Sequence, residues 1–252
     1  MIKVAICGAL GRMGTTIAGL VNEADDMTFV GGLDIREGTL LDAPVYSSTE
    51  IRTFLQETKP DVLIDFTIAH AAVENIIAGA EAGTALVVGT TGFSPEQRAR
   101  IEGAIEGAVP AVISSNYSVG MNIFWRLVRE AAQRLGDYDT EVIEAHHRYK
   151  KDAPSGTART ILEIIGEETG KTECLYGREG MTERKDEIGV HVVRGGDIVG
   201  DHTVLFAANN ETIELSHRAY DRAVFAHGVI RATRFITGKN SGIYSMDDVL
   251  GL

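Results

Sequence analysis

The chain has 252 residues, 24 Lys and Arg against 36 Asp and Glu, a formal net charge of −12 and a pI near 5.0. At 27.1 kDa it can bury a full core in one large domain or two unequal ones, and 44% hydrophobic with 24% charged residues argues against disorder. The acidic balance makes nucleic acid and anionic membrane surfaces poor partners, since both need a basic footprint. No apolar stretch reaches membrane-spanning length, and the N-terminus reads as a strand, not a signal peptide. Cys7 and Cys174 are the only cysteines and read as free thiols of a reducing compartment, Cys7 in a buried strand and Cys174 in a distant loop. A cytoplasmic enzyme is the expectation.

Along the first half, residues 4–7, 29–33, 62–66, 85–88 and 111–113 read as short buried strands. Helical patterns run between them: Met13, Ile17, Leu20 and Val21 share one face, as do Val73, Ile76, Ile77 and Ala80. Repeated βα units predict a parallel sheet with helices on both faces and ligands at the carboxyl ends of the strands. From about Ser118 the texture changes. A helix carrying Phe124, Leu127, Val128, Ala131 and Leu135 leads to a strand over 140–145, and Ala158, Ile161, Leu162 and Ile165 mark another helix. Strands over 190–193, 203–206 and 212–216 follow, linked by the turn residues Gly195-Gly196-Asp197 and Asn209-Asn210-Glu211, so this part reads as mainly antiparallel. Residues 166–188, polar and interrupted by glycine, read as a mobile loop. A last helix near 226–237 returns to the first domain. The expected class is α/β: a Rossmann-type doubly wound parallel sheet plus a smaller α+β domain with a mixed, mainly antiparallel sheet. The dinucleotide-binding domain spans 1–117 completed by 226–252, and the second domain spans 118–225.

Gly8-Ala9-Leu10-Gly11-Arg12-Met13-Gly14 follows the first strand and opens the first helix, a G-x-x-G-x-x-G variant of the dinucleotide fingerprint. Glycines there permit a tight turn and a close approach of backbone to pyrophosphate. Asp34 lies 20 residues past Gly14, at the end of the second strand, where a carboxylate can accept hydrogen bonds from ribose hydroxyls and favour NAD. Arg12 and Arg36 lie near enough to tolerate a 2′-phosphate, so NADH and NADPH both stay open. Gly89-Thr90-Thr91-Gly92 and Ser114-Ser115-Asn116-Tyr117 follow the fourth and fifth strands, where a nicotinamide and its ribose would lie; each also reads as an ordinary βα loop.

The stretch from Glu144 to Thr157, E-A-H-H-R-Y-K-K-D-A-P-S-G-T, carries basic or imidazole side chains at five of the six positions from His146 to Lys151. It runs into a helix start at Pro154-Ser155-Gly156-Thr157. A cationic loop feeding a helix N-terminus suits an anion, because free N–H groups and the helix dipole both face it. Two imidazoles beside it can move protons near neutral pH. An enzyme acting on a carboxylate or phosphate is implied. Glu144 and His146 share a strand face, which allows a metal, but Arg148, Lys150 and Lys151 would repel a dication. His70, His191, His202, His217 and His227 read as structural or surface residues, and Ser155 as a helix cap.

These segments, with D-F-T at Asp65, R-G-G-D-I-V-G-D-H-T at Arg194, S-N-Y-S-V-G-M-N at Ser115 and S-G-I-Y-S-M-D-D-V-L at Ser241, resemble the 4-hydroxy-tetrahydrodipicolinate reductase (dihydrodipicolinate reductase) family over essentially the whole chain. The resemblance implies NADH- or NADPH-dependent reduction of a cyclic dicarboxylate imine in diaminopimelate and lysine biosynthesis, by a homotetramer built through the second domain. It implies that His146 is the proton donor and Lys150 its partner, with His147, Lys150, Gly156 and Thr157 on the substrate carboxylates. Gly8, Ala9, Leu10, Gly11, Arg12, Met13, Asp34, Gly89, Thr90, Thr91, Ser114, Ser115, Asn116 and Tyr117 would contact the cofactor. Some members have an acid followed at once by Arg after the second strand; here Ile35 separates Asp34 from Arg36, so the resemblance does not choose between NADH and NADPH. A hinge near Ser118 is expected to bring cofactor and substrate together. Two other readings fare less well. A semialdehyde dehydrogenase needs a cysteine near the cofactor loops, and neither cysteine is placed there. A dinucleotide-sensing regulator would be expected to carry a DNA- or partner-binding element, and none is found.

Overall fold

Runs of Val, Ile, Leu and Ala without polar alternation suit strands covered on both faces, and in the computed structural model, which describes residues 1–252, they build the first of two units. That unit comprises Met1–Ser118 and Ala223–Leu252. Its first part runs β1 (Ile2–Cys7), α1 (Arg12–Glu23), β2 (Met27–Asp34), β3 (Gly38–Leu40), β4 (Ala43–Ser47), α2 (Ile51–Thr58), β5 (Val62–Asp65), α3 (Ala69–Glu81), β6 (Ala85–Val88), α4 (Pro95–Ile105) and β7 (Pro110–Ile113). The second unit, Val119–Arg222, holds α5 (Val119–Arg134), β8 (Asp139–His146), α6 (Gly156–Thr169), β9 (Cys174–Tyr176), β10 (Ile188–Arg194), β11 (Gly200–Ala207) and β12 (Thr212–Ala219). The chain then returns to the first unit with α7 (Ala223–Ile236), β13 (Gly242–Tyr244) and α8 (Met246–Leu250). The last long helix thus starts at Ala223, three residues before the expected 226. No helix is long and apolar enough to cross a membrane.

The first unit's eight strands are ordered β13-β7-β6-β5-β1-β2-β4-β3 and are parallel except for β3 against β4. Every residue of β5 and β6 is buried. One face packs Ile17, Ala18 and Val21 of α1 with Val229 and Ala232 of α7, and the other packs Phe54 of α2, Ile76 of α3 and Ile101 and Ile105 of α4. The winding reverses between β1 and β5, because the chain leaves β1 toward β2 and comes back to its other side as β5. That reversal opens a crevice beyond the carboxyl ends of those two strands. Helix α4 had a readable start, with Pro95 at its first turn and Ser94 and Gln97 closing a capping box, but only Ile101 and Ile105 are buried, too few for periodicity to show it.

The second unit's five strands are ordered β12-β11-β8-β10-β9. Two of the four pairings, β8 with β11 and β11 with β12, are antiparallel; β8 with β10 and β10 with β9 are parallel. The sheet is therefore mixed, with more of its paired residues antiparallel, and α6 acts as the crossover before the parallel β9 and β10. Met121, Phe124 and Val128 of α5 and Ile161 and Ile165 of α6 cover one face with Val204 and Phe206 of β11.

Residues 166–188 depart in part from the expected mobile loop. Helix α6 continues to Thr169 and stops at Gly170, whose φ of 76° caps it, and Cys174 lies on β9, paired with Ile188. Arg178 pairs with Glu187, Arg184 pairs with Asp139 at 2.9 Å and Glu141 at 3.3 Å, and Lys171 donates to the Tyr138 carbonyl at 2.9 Å. Residues 177–187 form an irregular, largely exposed stretch as the loop reading expected, while Lys171, Arg178, Arg184 and Glu187 meet partners at the sheet edge, a use that composition does not reveal.

Candidate active site

The crevice of the first unit is shaped by backbone. Gly8 has φ of +79°, and a Cβ there would lie 2.7 Å from the Phe66 carbonyl oxygen; a Cβ on Gly14 would lie 2.1 Å from the Gly8 oxygen. The N–H groups of Gly8 and Ala9 both donate to the Leu33 carbonyl, at 2.8 and 3.1 Å, which staples the glycine loop to the end of β2. Asp34 adds a second clamp, accepting from Leu10 N–H at 2.9 Å and Ile35 N–H at 2.8 Å. Helix α1 then starts at Gly11 with no side-chain cap and no acid in its first turn, so its leading N–H groups remain available to an anion. Beside it lies a cavity of about 360 Å³ lined by residues including Gly8, Asp34, Ile35, Phe66 and Ile68. A cradle that excludes side chains, an uncapped helix start and an adjacent apolar slot together fit a dinucleotide.

Beneath the crevice, Asp65 joins two loops. Its Oδ1 accepts from the Thr90 hydroxyl at 2.6 Å and the Thr67 hydroxyl at 2.8 Å, and its Oδ2 accepts from Asn75 at 2.8 Å. Burial pushes the Asp65 carboxyl up and the hydrogen bonds offset part of that; burial, with Asp65 alongside, pushes the Cys7 thiol well up, so Cys7 is an inert core thiol. Gly89 carries no side chain because a Cβ would meet the Phe66 ring at 2.2 Å. Thr91 and Ser115 are exposed, whereas Thr90 and Asn116 are buried. Tyr117 is 2% exposed, and its hydroxyl sits 2.9 Å from the Val88 oxygen and 3.0 Å from the Val112 oxygen. Its side chain ties β6 to β7 inside the core; only its backbone belongs to the loop.

In the second unit the alternation of β8 buries Thr140, Val142, Glu144 and His146 on one face. Glu144 is fully buried and accepts four hydrogen bonds: from His146 Nδ1 at 2.6 Å, from Arg194 Nη1 and Nη2 at 2.7 and 2.8 Å, and from Ser155 N–H at 2.8 Å. Burial alone would raise this carboxyl, but the bonds from His146, Arg194 and Ser155 outweigh it and hold it down at about 2. An ionised carboxylate only accepts, so His146 Nδ1 carries a proton. With both oxygens engaged by Arg194 and its other donors, Glu144 has none to offer a metal.

His202 of β11 stacks edge-on against His146 with ring centroids 5.2 Å apart, and its Nε2 lies 3.3 Å from Ser155 Oγ. Burial first, and then the charge of His146, push His202 down to about 3, so it is neutral at physiological pH. Ser155 caps α6 through Ala158 N–H at 3.2 Å, which leaves Gly156 and Thr157 to open the helix beside the cationic loop. Lys150 is turned toward Asp152, at 3.0 Å, and its N–H donates to the His147 carbonyl at 3.1 Å.

An imidazole braced by a buried carboxylate beside a cationic loop, with a Gly-rich nucleotide crevice in the same chain, narrows the comparison with known proteins. Residues 2–117 match the family "Dihydrodipicolinate reductase, N-terminus" and residues 120–250 match "Dihydrodipicolinate reductase, C-terminus". The chain belongs to the dihydrodipicolinate reductase family. It is 69% identical over 252 residues to the 4-hydroxy-tetrahydrodipicolinate reductase of Methanoculleus marisnigri, covering 100% of both chains. To that of Methanospirillum hungatei it is 64% identical, again covering 100% of each. Among solved structures, a dipicolinate-bound dihydrodipicolinate reductase from Paenisporosarcina sp. TG-14 is similar at a TM-score of 0.81 and 26% identity, covering 98% of each chain. As a dihydrodipicolinate reductase family member, the chain is an NAD(P)H-dependent oxidoreductase whose Rossmann-type unit binds the nucleotide.

Three residues of this cluster carry no catalytic role in the sequence alone. Glu144 reads there only as a possible metal ligand, Arg194 stands in a family segment without a role, and His202 reads as structural or surface. Arg194 and His202 reach Glu144 from β10 and β11, and nothing in their spacing from residue 144 signals it; the cross-strand pairing of His202 with Glu144 exists only in the sheet.

Two outcomes follow from these contacts. Glu144 has a folded value of about 2 against 4.5 for the free carboxyl, so its contribution is fully present above about pH 4.5 and is lost as pH falls through 2. Acid unfolding should show a corresponding decline, on the order of 3 kcal/mol, in urea stability measured from pH 5 to pH 2; a flat profile would contradict it. Tyr117→Phe should cost about 1 kcal/mol in urea unfolding, because the strand-end carbonyls of β6 and β7 lose a shared donor, and wild-type stability would count against that tie.

Proposed function

We propose that the protein reduces 4-hydroxy-tetrahydrodipicolinate to tetrahydrodipicolinate in diaminopimelate and lysine biosynthesis, with His146 as the proton donor. The observation that carries this reading is His146 at the carboxyl end of β8, its Nδ1 engaged by buried Glu144, next to a loop holding His147, Arg148, Lys150 and Lys151. The dicarboxylate is supported by the names of the Methanoculleus and Methanospirillum relatives and by the dipicolinate bound to the Paenisporosarcina enzyme.

Gly8 to Met13, Asp34 and the loops at Gly89 to Thr91 and Ser114 to Tyr117 would hold NAD(P)H, which would supply the hydride. The 4-hydroxyl leaves as water to give the unsaturated ring; hydride addition to that ring leaves negative charge on it, and protonated His146, with Lys150 as its partner, quenches that charge. Lys150, His147 and the first N–H groups of α6 at Gly156 and Thr157 hold the carboxylates and set the ring's position. The cationic surroundings favour an anionic transition state. Helices α5 and α6 pack on one face of the second sheet, and the opposite face carries the partly exposed Ile143, Leu205 and Val193. Copies joined through that face would give the homotetramer of a cytoplasmic enzyme.

The test is coupled turnover. The purified protein is given the freshly generated product of dihydrodipicolinate synthase, and absorbance at the nicotinamide band is followed with NADH and NADPH in parallel. Oxidation of either cofactor supports the reaction, and the ratio of the two kcat/KM values reports what Asp34, Ile35 and Arg36 select. A folded protein that binds NADH and oxidises neither cofactor would refute the substrate.

A further inference from the structure

We infer that Glu144 is a positioning residue for the reaction: it takes the Nδ1 proton of His146 as a hydrogen bond and so makes Nε2 the nitrogen that delivers the proton, while Arg194 keeps Glu144 in place. The inference rests on His146 being the donor and adds how that donor is prepared. Imidazole has two nitrogens, and the partner of one decides what the other does. Nδ1 is engaged by Glu144 at 2.6 Å. Nε2 faces Gly200 of β11, where a Cβ would stand 3.1 Å away, so the residue opposite presents no side chain to cover it. Arg194 grips Glu144 through two parallel hydrogen bonds and also donates to the Asp152 carbonyl at 2.6 Å, which joins the carboxylate to the loop carrying Lys150.

The charged and titratable groups around His146 are consistent with this assignment. Glu144 faces it from the same strand and Arg194 stands behind Glu144 on β10. His202 faces it from β11, with His217 paired beyond on β12, and Lys150 and Asp152 lie in the loop before α6. Buried neutral His202 adds no positive charge against a protonated His146, so Glu144 is the anion in contact with the ring.

The test compares Glu144→Gln, Glu144→Asp and His146→Gln in kcat, KM and the pH dependence of kcat. Activity that needs a protonated donor declines as pH rises. Glu144→Gln keeps the size of the side chain but removes the carboxylate held against Nδ1, so the decline in kcat should move to lower pH. Its kcat should fall at least about tenfold, with both KM values within about threefold of wild type. Glu144→Asp should keep the decline near its wild-type pH while losing some kcat through poorer alignment. Because Glu144→Gln leaves Arg194 without its carboxylate partner, a Glu144→Gln, Arg194→Gln double variant is measured as well; it removes both partners and should show the same shift. An unmoved decline with wild-type kcat in Glu144→Gln, or an equal shift in Glu144→Asp, would overturn the inference. Full activity in His146→Gln would instead overturn the donor assignment, so the two failures are distinguishable.

Discussion

His146→Gln is expected to lower kcat by about 10²-fold or more, the usual scale for losing a positioned acid, and Lys150→Ala to do the same while also raising the KM for the dicarboxylate. Gln can still offer an N–H to Glu144, so the buried hydrogen bond of 2.6 Å keeps a donor and the strand end need not rearrange. What disappears is a proton that can leave. Lys150→Ala removes a cation and frees Asp152, which is 48% exposed at its side chain and can be rehydrated at little cost to stability. Stopped-flow or steady-state turnover with the coupled substrate reads both effects, and unchanged thermal melting shows that they are chemical. Near-normal turnover in both variants would remove His146 and Lys150 from the proposed roles.

Gly14→Ala should weaken NADH binding and destabilise the fold, whereas Gly19→Ala in the same helix should not. A Cβ at residue 14 would sit 2.1 Å from the Gly8 oxygen and 2.8 Å from both Cα and O of Ala9. All three are backbone atoms of the nucleotide loop, so α1 must lift from β1 or the loop must move. Either change disturbs Ile17, Ala18 and Val21, which are fully buried. Overpacking of this kind costs about 1–3 kcal/mol, and displacement of the loop should weaken NADH binding by at least about tenfold, roughly 1.4 kcal/mol. A methyl added at Gly19 would meet nothing within 4 Å, so alanine there should stabilise the helix by up to about 1 kcal/mol and leave binding alone. Urea unfolding and fluorescence titration with NADH measure the pair. Equal behaviour of the two variants would mean that the close approach at Gly14 is not what shapes the crevice.

Much of the first unit was legible because its signals are local. A buried parallel strand is a short apolar run, an amphipathic helix repeats its apolar face every three to four residues, and a fingerprint turn needs its glycines at fixed offsets. β6 has the expected bounds, and Asp34 lies at the end of β2 as its spacing from Gly14 suggested. The local cap at Ser155 was equally readable. The small edge hairpin of β3 and β4 had no such signal: three and five residues long and mostly unburied, it has no pattern to repeat. Residues 166–188 misled in part for a related reason, since a charge that meets solvent and a charge that meets Glu141 or Glu187 look alike in a sequence.

The residues along the chain determined by themselves where the nucleotide loop lies, that His146 and Glu144 share one face of a strand, and that a cationic loop ends at a helix start. Each of these depends on neighbours within one element or one turn. Only the tertiary structure decided that Arg194, 50 residues away, grips Glu144, that His202 stacks on His146, and that Asp65 joins the loops of Thr67 and Thr90. Those contacts are set by strand order and register, which depend on how whole faces are buried against one another, and no spacing within the chain encodes them.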